Sequence, residues 1–95
     1  MSRETLLADV REVLAELLQA RLSPNELPNG VALAHIEWCL EHFRTVEGYI
    51  ASGHLPARLA RKSLLGRITT DSWPWDWPLG AKLSKFENDY YQADF

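Results

Sequence analysis

The chain has 95 residues, of which 46% are apolar and 24% charged, and its net charge is −3. That length fits a single domain spanning 1–95 and excludes large scaffolds such as a TIM barrel. The composition excludes a disordered polar chain, and an acidic balance disfavours bulk affinity for nucleic-acid phosphates.

The charge is segmented. Residues 1–22 and 23–53 are net acidic, residues 54–70 carry Arg58, Arg61, Lys62 and Arg67 with no acid, and residues 71–95 are acidic again. Cys39 is the lone cysteine, so no internal disulfide forms and no Cys-rich zinc knuckle is present. The Met1-Ser2-Arg3-Glu4 start lacks the pattern of a signal peptide. No apolar run approaches the roughly 18 residues that span a bilayer. A soluble chain in a reducing, cytoplasmic setting is expected.

Ser2 is placed to cap a first helix. Leu6, Leu7, Val10, Val13, Leu14, Leu17 and Leu18 then recur at helical spacing, predicting a helix over about 3–21. Their stripe covers roughly 160° of the wheel, wide enough to touch two neighbours rather than one. Ser23-Pro24-Asn25-Glu26 has the cap, Pro and Glu of a helix start, but Pro28-Asn29-Gly30 limits it to one turn.

A second long helix is predicted over about 31–52. Leu33, Ile36, Cys39, Leu40, Phe43, Val46 and Ile50 form its core arc, and Gly53 sits where a left-handed terminator belongs. Pro56 suits the first turn of a shorter helix over about 56–67. A last helix within 79–93 places Leu79, Leu83, Phe86, Tyr90 and Ala93 on one side, and Ser84-Lys85-Phe86-Glu87 resembles a capping box that would start it late. No strand alternation, repeat or low-complexity tract appears. The expected fold is all-α, a compact bundle of about four helices, two long and two shorter, with an extended Trp/Pro segment before the last.

That segment, Trp73-Pro74-Trp75-Asp76-Trp77-Pro78, is the most unusual stretch. Proline disfavours helix in the residue before it, so Trp73 and Trp77 are expected to be extended. Residues i, i+2 and i+4 of an extended chain share a face, which aims all three indoles one way. Such a segment closes an open end of the bundle as a lid, exposes one or two indoles as interface anchors beside Asp71 and Asp76, or does both. Tyr91 falls off the last helix's apolar stripe, beside Asp94 and the C-terminal residue Phe95. With Asp71 and Asp76 it is expected to form an acidic, aromatic surface.

On the second helix His35, Trp38, His42 and Tyr49 form a shoulder beside the core arc. His35, Cys39 and His42 have a spacing compatible with one metal, but a fourth ligand is lacking and His54 is the only other histidine. No metal or cofactor is expected. Glu47 falls inside the apolar arc, which predicts a buried ion pair with Arg58, Arg61 or Arg67. The Glu12/Glu16 and Glu37/Glu41 pairs read as solvated faces. No phosphate loop, Glu-x-x-His pair or nucleophile elbow is present, so no enzyme is expected.

Three functions remain. The first is a stoichiometric protein-binding module, an inhibitor or immunity-type protein, meeting a basic or groove-like partner through Trp73, Trp75, Asp76, Trp77, Asp71, Tyr91 and Asp94. The second is nucleic-acid binding through Arg58, Arg61, Lys62 and Arg67 of the basic helix. That helix, the Gly turn and helix two follow the order of a helix-turn-helix, but Pro56 and the scatter of the cations fit it poorly. The third is a homo-oligomeric accessory or structural subunit using the wide leucine stripe, most simply as a homodimer.

Overall fold

The computed structural model describes residues 2–57, 73, 74 and 76–94. These residues are all-α, with three helices: α1 (Arg3–Leu22), α2 (Leu33–Ser52) and α3 (Pro78–Gln92), plus a 3-10 turn at Pro24–Glu26. Most of the shorter helix expected over 56–67 lies outside the described residues; Pro56 and Ala57, its expected start, are not helical.

Ser2 caps α1 by accepting from the Thr5 N–H at 3.2 Å. The α1 stripe buries Leu6, Val10, Val13, Leu14 and Leu17, while Leu7 and Leu18 lie at its half-buried edges. As its width predicts, it packs against both α2 and α3. Contacts along the helices give their directions. Arg3 lies beside Gly53, Arg11 beside Glu47, and Glu12 and Glu16 beside Lys82. Both α2 and α3 therefore run antiparallel to α1, and parallel to each other.

The start of α2 falls at Leu33, two residues later than expected. Gly30 turns the chain with φ 89° and the Val31 N–H reaches the Pro28 carbonyl at 3.1 Å, so Ala32 becomes the extended cap residue. Leu33, expected in the core arc, is 38% exposed, while Ile36, Cys39, Leu40, Phe43, Val46 and Ile50 are buried. Helix α3 begins at Pro78 rather than at Ser84, because Trp77 is extended and Pro78 takes the first helical position. It buries Leu83, Phe86 and Tyr90; Phe86 stacks on Tyr90 and meets Phe43 edge-on at 5.6 Å. No helix among the described residues is long and apolar enough to cross a membrane.

Gly53 ends α2 in the left-handed region, with φ 73°, and its N–H bonds back to the Ile50 carbonyl at 3.1 Å. An added Cβ would lie 3.3 Å from the flexible tip of Arg3, so the strain of substitution is in the backbone. Gly53→Ala is expected to destabilise the protein by about 1 kcal/mol, read as a lower urea midpoint with an unchanged slope.

Candidate functional site at the tryptophan turn

The antiparallel layout brings the start of α2, the start of α3 and the end of α1 together at one end of the bundle. The tryptophan segment covers this end. It does not stay extended as expected: the Trp77 N–H donates to the Pro74 carbonyl at 3.2 Å, closing a turn over 74–77. Local proline rules set Trp77 correctly (φ −73°, ψ 118°), but the turn still reverses the chain. Trp73 and Trp77 therefore meet edge-to-face at 5.1 Å rather than pointing along a common strand face.

Trp73 is 6% exposed and belongs to the core, and Trp77 is half-buried against it. Gly80, in the first turn of α3, lies under both rings; a Cβ there would sit 3.4 Å from Trp77 and 3.6 Å from Trp73. Buried indole N–H groups need an acceptor. Trp73 Nε1–H donates to His35 Nδ1 at 3.1 Å, and the Ala32 N–H donates to the same nitrogen at 3.3 Å. Ala32 has no side-chain acceptor for a helix start. His35, three residues on, supplies the reach-back half of a capping box and at the same time holds the indole.

Asp76 stands exposed at the tip of the turn. Trp75 and Asp71 lie outside the described residues, as do Arg58, Arg61, Lys62 and Arg67. Tyr91 (40% exposed) and Asp94 are exposed at the other end of α3. Fifteen helical residues separate the two ends, about 22 Å. The structure thus does not bring Asp76 together with Tyr91 and Asp94 in one patch.

The α2 shoulder is used in two places. His35 holds the turn. One helical repeat further, Trp38 stacks on His42 at 5.2 Å with 5° between the rings. His42 Nε2 lies 3.1 Å from Glu87 Oε1. An ionised Glu87 only accepts, which puts a proton on that nitrogen. Tyr49 is 42% exposed.

The buried carboxylate is therefore Glu87, 6% exposed, and not Glu47. Glu47 sits at the edge of the α2 arc, where Arg11 of α1 draws it outward to a 3.0 Å ion pair. The signal for Glu87 was present in the spacing, four residues after Leu83 and three before Tyr90, inside the apolar stripe. Glu12 and Glu16 are likewise more than a solvated face, since they grip Lys82 from both sides and raise its pKa through those hydrogen bonds. Among the described residues no cluster of three or more His, Cys, Asp or Glu is placed to hold a metal.

Cys39 is buried beneath this shoulder. Desolvation, aided by the nearby Glu87 charge, pushes its thiol from 9.0 up to about 12. At pH 8 the native protein is expected to leave Cys39 unmodified by a thiol–disulfide reagent, while the urea-unfolded chain reacts at once. The folded thiol keeps its proton longer than the unfolded one. This contribution to stability is thus complete below pH 9 and falls as pH rises from 9 toward 12, measurable by urea unfolding across that range.

The chain matches no family model, no curated protein and no solved structure.

Proposed function

We propose that this protein acts by stoichiometric binding to another protein, as an inhibitor or immunity-type module, and that it docks through the turn end of the bundle. The observation that carries this reading is Asp76, exposed at the tip of a turn whose two flanking indoles are anchored below it. Binding residues are commonly borne on loops that a rigid scaffold positions, and a pre-ordered loop loses little entropy on docking. The described cations that follow Asp76 most closely in sequence are already engaged: Lys82 with Glu12 and Glu16, Lys85 with Asp89. Among the described residues no cation pairs with Asp76, so its charge faces outward and suits a basic or groove-like surface. A lone, buried cysteine is compatible with a reducing, cytoplasmic setting.

The other two readings have less support. The leucine stripe that motivated a homodimer is covered within the chain by α2 and α3. The cations that motivated nucleic-acid binding lie outside the described residues, and helix α2 before them carries Glu37, Glu41 and Glu47 against Arg44.

A partner recovered with the tagged protein, then purified, gives the test by titration calorimetry and association kinetics. Asp76→Lys is expected to weaken binding at least ~10-fold, mainly through a slower, less salt-sensitive association rate. Asp94→Lys, at the far end of α3, is expected to change affinity less than ~2-fold, as a rim charge outside the contact would. Unchanged affinity in both Asp76→Lys and Trp75→Ala, with folding intact, would remove the turn as the docking surface.

A further inference from the structure

We propose that His35 is an acid-sensitive latch on the tryptophan turn: a proton on Nδ1 releases the turn from the end of the bundle. The regulatory consequence rests on the docking role proposed above. The latch itself is a property of the free chain and is tested there.

The geometry is specific about protonation. Two N–H groups, from Ala32 and from the Trp73 indole, converge on one imidazole nitrogen. An indole and a backbone amide nitrogen donate and never accept, so Nδ1 must present its lone pair, and the neutral ring carries its proton on Nε2. An imidazolium has no acceptor at all. One added proton therefore turns both contacts into donor against donor.

Among the described residues the groups around His35 offer no compensation. From its own helix it meets the Ala32 N–H; from the turn it meets the Trp73 ring, tilted at 49° with centroids 6.1 Å apart. Among the described residues no carboxylate lies within ion-pairing distance of it. The described charges close in sequence to the two partners are Glu37 on α2 and Asp76 at the tip of the turn, both exposed; Asp71 lies outside the described residues. His42 lies two helical turns further on, engaged with Glu87.

His35 also differs from the other histidine of the shoulder. Protonation of His42 would strengthen its pairing with an ionised carboxylate, whereas protonation of His35 abolishes its role. A proton taken up at Nδ1 therefore acts directly on this join. A buried Trp73 N–H without an acceptor is disfavoured, so the turn swings out to hydrate it. Trp77, packed edge-on against Trp73, is expected to follow.

The experiment is nitrogen-15 NMR on the full chain in the absence of any partner. In the wild type at about pH 8, His35 is expected as the Nε2–H tautomer, with the Trp73 indole N–H protected from exchange. At about pH 5 that protection, relative to the intrinsic rate at each pH, is expected to fall at least ~10-fold. His35→Gln places an amide oxygen at the third helical position, where Gln serves as a reach-back cap at any pH. This variant is expected to keep the protection at both pH values. An Nδ1–H tautomer in the wild type, protection that does not change with pH, or an equal loss in His35→Gln would each overturn the proposal. The tautomer measurement needs no variant and decides the matter if His35→Gln does not fold. Because no partner is present, failure of the docking reading and failure of the latch are separate results.

Discussion

Among the described residues, the start of α2 and the tryptophan turn are joined through a single acceptor, Nδ1 of His35. That atom receives both the Ala32 N–H, which a helix start must satisfy, and the Trp73 indole N–H, which a buried tryptophan must satisfy. Without it, burying Trp73 would leave an orphaned donor. One pair of hydrogen bonds thus ties the cap residue of α2 to the buried Trp73, next to the turn that the Trp77 N–H closes on the Pro74 carbonyl. Gly80 completes the arrangement by leaving room above α3 for both indoles.

Charge placement follows the same layout. The ion pairs of α1 run across to its neighbours, Arg11 to Glu47 and Glu12 and Glu16 to Lys82, while Lys85 is held by Asp89 within α3. These pairs sit along the sides of the bundle and neutralise its flanks. Asp76 and Asp94 are exposed at opposite ends of α3, and neither is in an ion pair among the described residues. At the turn end the exposed Asp76 sits on a turn packed over the Trp73 and Trp77 rings.

The helical class was legible because Leu6 to Leu18 and Ile36 to Ile50 keep an apolar period near 3.6, which only a helix can bury on one side. Boundaries were legible where a residue acts locally, as Ser2 and Gly53 do. They were less so where the partner is distant. Ala32 is a poor cap on its own and becomes one through His35, and the capping pattern at Ser84 was outcompeted by the Trp77-Pro78 pair. The turn over 74–77 was not legible, since pre-proline rules fix each tryptophan separately and say nothing of a reversal anchored by His35. Glu47 and Glu87 show the limit of a helical wheel. Position 47 is at an arc edge that Arg11 decides, whereas position 87 lies mid-stripe, between Leu83 and Tyr90, and is buried although it is a carboxylate. Asp76 and Tyr91 are close in sequence, yet a rigid helix holds them about 22 Å apart.

The claim on which the rest depends is that His35 and Trp73 act as one unit in closing the bundle. A double-mutant cycle with His35→Ala and Trp73→Phe, read by urea unfolding at neutral pH, measures that coupling directly; Phe keeps a six-membered aromatic ring and loses the pyrrole ring with its N–H, and the packing loss common to both legs of the cycle cancels. A coupling energy of about 1 kcal/mol is predicted, the size of a net hydrogen bond at a largely buried site. Strictly additive effects of the two substitutions would contradict it.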